Sequence, residues 1–129
     1  MGEAKFIQTP INTGGRATAA NTAVDGTGTL VTIATGSSTG TRIDRIHFRA
    51  NANTANSKLR IYITEGGATR CIHEIIVASA TISTTQKGWE YEWVLDPPLV
   101  LANGAVLKFA PTVALAAGFD ATVISGGHL

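Results

Sequence analysis

Residues 88–109 read GWEYEWVLDPPLVLANGAVLKF, and this stretch decides the fold. Its first half alternates large apolar side chains with acidic ones, which is the period-two pattern of a β-strand with one apolar face. The apolar positions are Trp89, Tyr91, Trp93 and Leu95. Pro97 and Pro98 then interrupt the backbone ladder, and Asn103 followed by Gly104 between two apolar runs predicts a type I′ hairpin turn. The sequence therefore predicts an all-β chain.

The same alternation recurs upstream but is broken within residues 42–50. The apolar residues there are Ile43, Ile46, Phe48 and Ala50. Ile43 has the opposite parity to the other three, so a regular strand would turn it away from them. A β-bulge near Asp44 and Arg45 inserts one extra residue and returns all four to one face. The sequence thus predicts a strand with a bulge at this position.

Short strands separated by turn residues predict a jelly-roll-like antiparallel β-sandwich of about eight strands. Residues 1–16 are expected to form an extended N-terminal arm, and residues 17–129 a single β-sandwich domain. The last strand is expected over 119–125, with a tail beyond it. Residues 70–78 are apolar on both faces, which predicts a strand covered on two sides.

Composition excludes several classes of function. The chain has 129 residues, a formal charge of +1 and only 15% charged residues. Such a low charge argues against a nucleic-acid binder that relies on phosphate contacts, and against a polybasic membrane-surface protein. Ala, Thr and Gly make up roughly two-fifths of the residues. Short side chains lose little rotamer entropy when they are covered, so this composition favours permanent contacts with other proteins.

No catalytic or metal-binding set is predicted. Cys71 and His73 lie two apart on one strand and share a face, but the sequence signals neither a group to orient the histidine nor an oxyanion hole. Because Cys71 is the only cysteine, no intramolecular disulfide can form. His47 and His128 are isolated, so a tetrahedral metal site is not expected. We expect no enzyme activity, no cofactor and no small-molecule substrate.

Acidic residues also receive structural interpretations. Asp25 opens the turn DGTGT, where its side chain is expected to cap the backbone two residues on while the glycines take positive φ. Glu90 with Glu92, or Glu65 with Glu74, would be candidate glycosidase pairs. Glutamates on the solvent side of an edge strand more often form a charged face that deters pairing with other chains.

Two surface features suggest binding. The aromatic row, defined as Trp89, Tyr91 and Trp93, is either part of the core or a subunit interface, or it is a platform for sugar rings. The core needs these rings because few other large side chains are present. Six cationic side chains are expected to form one moderately basic face, which is either a solvated face or, in an assembly, the contact with an acidic partner surface. They are Arg42, Arg45, Arg49, Lys58, Arg60 and Arg70.

Three segments resemble small virion proteins of tailed bacteriophages, and in particular jelly-roll cement proteins, which decorate phage heads. They are NTAVDGTGT at 21–29, GTRIDRI at 40–46 and LVLANGAVL at 99–107. The resemblance implies a structural protein that binds the outer surface of the capsid as a homotrimer and stabilises contacts between major capsid subunits. It implies assembly in the host cytoplasm and a place on the capsid exterior.

The expected partners are the major capsid protein and further copies of this chain. In this interpretation Phe6, Ile7 and Pro10 of the arm lie against a neighbouring subunit, while Arg42 and its basic neighbours meet acidic surface. The alternative is a β-sandwich module of a phage tail or fibre that binds glycan or another tail protein through the aromatic row.

Overall fold

The computed structural model describes residues 7–129, and these residues form nine β-strands and no helix. Every strand pairing is antiparallel. The described residues therefore contain no helix capable of crossing a membrane. The strands are β1 (Thr9–Pro10), β2 (Gly14–Ala17), β3 (Val31–Thr35), β4 (Thr41–Ala50), β5 (Ser57–Glu65), β6 (Ala68–Val77), β7 (Glu90–Leu101), β8 (Val106–Pro111) and β9 (Phe119–His128).

The strands form two sheets. In the front sheet β9 pairs with β1, β2 and β4, and β4 pairs with β7 at the other edge. The back sheet has the order β3-β8-β5-β6. The β5–β6 hairpin stays within the back sheet, whereas each connection from β2 to β5 and from β6 to β9 crosses between sheets. This is the strand arrangement of a jelly roll, so the predicted fold class is confirmed.

The core lies between the sheets, and the predicted bulge positions its centre. The pairing of β4 with both β7 and β9 shifts register between Ile43 and Arg45. As a result the four apolar residues of β4 all face inward and are fully buried. They pack with Phe109 of the back sheet, whose ring meets that of Phe48 edge-on at 5.9 Å. The bulge prediction is therefore confirmed.

The proline pair lies in β7, opposite this bulge. Val94 pairs with Arg45 and Leu99 with Ile43, so the residues from 95 to 98 have no partner in the register of β4. Because β7 is an edge strand and its ladder is interrupted here, the missing N–H groups of the two prolines cost no sheet hydrogen bond. The predicted interruption of strand pairing at the two prolines is therefore confirmed.

The predicted hairpin at Asn103 and Gly104 is wrong. The turn leads from β7 in the front sheet to β8 in the back sheet, so these strands do not pair with each other. Ala105 N–H donates to the Ala102 carbonyl at 3.0 Å. Gly104 has a φ of +80°, whereas Asn103 does not have a positive φ, since among residues 7–129 only glycines do. A type I′ turn needs positive φ at both central residues, whereas glycine at the third position fits a type II turn.

At both ends of the described chain, more residues belong to the front sheet than the sequence predicts. Thr9–Pro10 and Gly14–Ala17 pair with β9, so this part of the predicted arm belongs to the sheet. Strand β9 continues through Gly126 and Gly127 to His128 instead of ending in a tail. A Cβ on Gly126 would lie 2.6 Å from the Arg42 carbonyl, so only glycine allows this close approach.

The outer face of the back sheet is covered unevenly. Tyr62 has the opposite parity to Leu59 and Ile61 in the sequence, which predicts it on the polar face of β5, but it is fully buried because the loop between β2 and β3 lies over it. The Ala23 carbonyl accepts a hydrogen bond from its hydroxyl at 2.8 Å. On β6, Ile72 is 42% exposed and Ile76 is 69% exposed. The prediction that this strand is covered on two sides is therefore wrong.

Truncation of Phe48 tests the packing of the core. Phe48→Ala removes a fully buried ring that contacts Phe109, so we expect the free energy of unfolding to fall by about 3–5 kcal/mol. Val113→Ala, at an exposed loop position, is the matched control and should change stability by less than about 0.5 kcal/mol. Urea unfolding followed by circular dichroism measures both. Equal, small losses for the two variants would contradict this core.

Candidate functional site

The arginines of β4 lie on the outer face of the front sheet, but each has an acidic neighbour. Arg42 Nε lies 3.2 Å from a carboxylate oxygen of Asp44. Arg45 lies 3.6 Å from a carboxylate oxygen of Glu92. These pairs are half-exposed, and such surface ion pairs contribute little stability, so the arginines can exchange their partners at low cost.

Arg49 belongs to a row of alternating charges across the front sheet. Strand register places Arg16 beside Asp120, Asp120 beside Arg49, and Arg49 beside Glu90. Arg16 forms a two-pronged pair with Asp120, with Nε–Oδ1 and Nη2–Oδ2 distances of 2.6 and 3.0 Å. Opposite charges on neighbouring strands stabilise the sheet, so this row has a structural role.

The six cationic residues do not form one basic face. Arg42, Arg45 and Arg49 lie on β4 in the front sheet, whereas Lys58, Arg60 and Arg70 lie in the back sheet. The chain crosses between sheets after β4, which places consecutive strands on opposite sides of the sandwich. On the back sheet, Glu74 accepts from Arg60 at 2.9 Å and approaches Lys58 at 3.5 Å. The expectation of a single basic face is therefore wrong.

Two of the predicted arm contacts lie on the same sheet as the arginines of β4. Pro10 is exposed in β1 and pairs with Gly127, which in turn pairs with Arg42. Ile7 is half-buried and its side chain occupies the space that a Cβ on Gly127 would fill. Pro10 and Arg42 are thus two strand spacings, or about 10 Å, apart. Phe6 lies outside the described residues.

The aromatic row packs mainly into the fold. The ring of Trp93 stacks on His73 with 4.4 Å between centroids and 6° between planes. Trp89 stacks on Tyr91 at 6.5 Å and meets Phe119 edge-on at 6.1 Å. Both tryptophans are partly buried against the core, while Tyr91 is 40% exposed. A sugar platform needs open ring faces, and one face of Trp93 is already covered by His73.

The histidines and the cysteine have structural contacts. The ring of His73 is engaged with Trp93, and the Cys71 thiol makes only a weak 3.7 Å contact to the His73 carbonyl. His128 Nδ1 lies 2.7 Å from the hydroxyl of Thr41. This contact is not apparent from the sequence, because it depends on β9 pairing with β4. Thr41 is fully buried, so its hydroxyl is not accessible to a substrate.

The loop at Asp25 has the predicted structure. Asp25 Oδ1 accepts from the backbone N–H of Thr27 at 3.1 Å and from its hydroxyl at 2.7 Å. These bonds lower the pKa of the Asp25 carboxyl. Gly26 and Gly28 have φ of +92° and +86°, as the turn requires. Within residues 7–129, no group of three or more His, Cys, Asp or Glu side chains is arranged to hold a metal ion.

Three further carboxyl groups have a lowered pKa, and in each case a cationic side chain at the surface is the main cause. The pKa of Asp120 is lowered mainly by hydrogen bonds from Arg16, and the pKa of Glu74 by those from Arg60. The pKa of Glu90 is lowered by Lys87, which lies 2.8 Å away. A general acid at neutral pH needs a raised carboxyl pKa instead. Among the described residues, these three carboxylates are therefore acceptors of surface ion pairs.

Comparisons with protein families, with curated proteins and with solved structures found no match for this chain.

The Arg16–Asp120 pair predicts a specific pH dependence of stability. Because the folded-state pKa of Asp120 is lowered, its contribution is present above the unfolded-state pKa, about 4, and is lost as pH falls through the folded value. Thermal melts between pH 7 and pH 2 should therefore show a smaller acid-induced fall in Tm for Asp120→Asn than for the wild type.

Removal of the partner provides the control for this prediction. Arg16→Gln should reduce the acid dependence by less than Asp120→Asn does, because Asn51 and Arg49 still lower the pKa of Asp120, and the double variant should behave like Asp120→Asn. Parallel curves for the wild type and Asp120→Asn would show that the pair makes no contribution.

Proposed function

We propose that this protein is a structural virion protein of a tailed bacteriophage, a cement protein that binds the outer surface of the capsid. Its role is to stabilise contacts between major capsid subunits on the exterior of the particle, after assembly in the host cytoplasm. The proposal rests on the resemblance of three turn and strand segments to phage cement proteins. It rests also on the polar side chains, which form contacts within the fold. It involves no enzyme activity and no cofactor.

One observation supports this proposal most strongly. The polar side chains that catalysis would need already make contacts within the fold. Examples are the pairs Thr41–His128, Arg16–Asp120 and His73–Trp93. Among residues 7–129, no buried side-chain nitrogen or oxygen lacks a hydrogen-bond partner. Large apolar side chains remain exposed instead, including Val94 at 52% and Val100 at 54%. Such a surface is suited to contact with another protein.

The outer face of the front sheet is the proposed capsid contact. It presents Arg42, Arg45 and Arg49, with Ile7 and Pro10 beside them at the β1 edge. Arginine binds carboxylates through a planar fork of N–H donors, so acidic surface on the capsid is the expected partner. The N-terminal residues would add apolar contacts at about 25 cal/mol per Å² of buried apolar area.

The alternative is a tail or fibre module that binds glycan or another tail protein. It would use the aromatic row, in which Tyr91 is the most exposed ring. The stacking of Trp93 on His73 and the packing of Trp89 on Phe119 leave less open ring surface than a sugar platform needs. Glycan-array binding that is lost in Tyr91→Ala, with the fold intact, would favour this alternative.

Binding to phage heads tests the proposal. Heads assembled without this protein are mixed with the purified protein, sedimented, and assayed for bound protein. We expect the wild type to co-sediment, and Arg42→Glu combined with Arg45→Glu to bind about tenfold more weakly or worse, because the two reversals oppose an acidic partner.

The control carries the same change in net charge on the other sheet. Lys58→Glu combined with Lys108→Glu alters the back sheet and should bind heads like the wild type. Failure of the wild type to bind heads would overturn the cement function. Equal binding by both double variants would instead refute the assignment of the front sheet as the contact.

A further inference from the structure

The two lateral sides of the sandwich differ in how closely the sheets meet. On one side β2 approaches β3, and a Cβ on Gly15 would lie 2.6 Å from the Thr32 carbonyl. On the other side β6 and β7 each pair with only one neighbouring strand, so both sheets end there in an open edge. The stacked rings of His73 and Trp93 bridge the two sheets at this open side.

The open side carries exposed apolar side chains, and we call this surface the side wall and define it as Val24, Ile72, Val94, Pro97 and Pro98. Two depressions of about 390 and 320 Å³ run along it, and Ile72 lines both. Val24, Ile72 and Val94 are 56%, 42% and 52% exposed. In a chain with so few large apolar residues, three exposed ones along two depressions that share Ile72 indicate an interaction surface.

The two edge strands of the side wall are protected to different degrees. Strand β7 has Pro97 and Pro98, which cannot donate to an added strand. Strand β6 has no proline, and its central outward residue is Ile72 at an irregularity in the pairing with β5. Natural edge strands usually place a charge or a proline at such a position to prevent association. The side wall therefore favours contact with a partner along β6.

The charges at the side wall indicate the identity of that partner. Arg70 lies two residues from Ile72 on β6, and Asp96 lines the larger depression from β7. Both side chains are exposed, and neither forms an ion pair with any residue from 7 to 129. One edge of the apolar surface thus carries a free positive charge and the other a free negative charge.

We propose that the side wall binds the side wall of a second copy of this chain around a two-fold axis. With the axis parallel to the strands, β6 of each copy lies against β7 of the other, so that Arg70 meets Asp96 of the second copy twice and the apolar side chains meet in between, with no added strand pairing. A partner surface of a single charge sign would leave one of these two residues unmatched. The contact is a property of the free protein and does not depend on binding to capsids.

This symmetry differs from the trimer that the resemblance implies. A ring of three copies joins two different surfaces of each subunit, whereas the side wall carries both complementary halves on one surface. The side wall therefore fits a dimer.

Sedimentation equilibrium over roughly a thousandfold range of protein concentration tests the proposal. We expect the wild type to form dimers as its concentration rises. Arg70→Glu alone and Asp96→Lys alone each place like charges opposite one another twice, and should weaken dimerisation about tenfold or more.

An equimolar mixture of the two single variants gives the decisive result. In a mixed pair the two introduced charges face each other and the two native charges face each other, so dimers should form again as in the wild type. Ile72→Ser should weaken dimerisation as well, whereas Ile76→Ser, at the more exposed position outside both depressions, should not.

Three results would overturn the proposal: a wild type that stays monomeric at every concentration, a wild-type trimer, or a mixture that associates no better than its components. Circular dichroism melts of each variant confirm that the fold is retained, which the exposure of Arg70 and Asp96 leads us to expect. If head binding is lost while dimers persist, the cement function fails and the side-wall contact stands.

Discussion

The irregularity at Asp44 in β4 is the constraint on which the rest of the sandwich depends. Without the extra residue, the two-residue period of a strand would turn Ile43 toward solvent while Ile46 and Phe48 remained inside. With it, all of these side chains reach the core and are fully buried. Because β4 lies between β7 and β9, the register of both neighbouring strands shifts at the same place.

The consequences of this bulge extend to the edge of the front sheet. The ladder between β4 and β7 is interrupted where β7 carries Pro97 and Pro98, so the prolines occupy positions without pairing partners. The prolines in turn prevent another strand from extending the sheet along this part of β7. The extra residue in β4 thus interrupts the pairing with β7 where the two prolines lie, and these prolines are part of the side wall.

Features that depend on local chemistry could be predicted from the sequence. The alternation of Leu59 and Ile61, the parity break at Asp44 and the turn at Asp25 all follow from neighbours within a few residues. The all-β fold class follows from the same signals repeated along the chain. These predictions agree with the structure because the tertiary contacts reinforce the local preferences.

Features that depend on sheet assignment could not be predicted. An Asn-Gly pair signals a tight turn, but nothing nearby indicates that β7 and β8 belong to different sheets. The burial of Tyr62 depends on a loop about forty residues away in sequence, whose Ala23 carbonyl accepts its hydroxyl proton. The separation of Arg49 from Arg60 has the same origin, because the connection from β4 crosses the sandwich. Most of the candidate site is defined by such long-range placement.

On our proposal, this sandwich serves as an assembly component of the virion. Its charged side chains are mostly paired on the outer faces, and apolar side chains are exposed along the side wall and on both sheets. On our proposal, the front sheet faces the capsid and the side wall faces a second copy. The two surfaces adjoin at Val94, which pairs in register with Arg45, so one protein can contact capsid subunits and its own neighbour through neighbouring surfaces.

The position of the protein on the native particle tests the central claim most directly. Cryo-electron microscopy of the phage particle, at a resolution that separates β-sheets, should show a nine-stranded sandwich on the outer surface of the head with its front sheet toward the capsid. Particles assembled without the protein should lack that density and no other. Density for the sandwich at the tail or fibres, or its absence from the particle, would contradict the account.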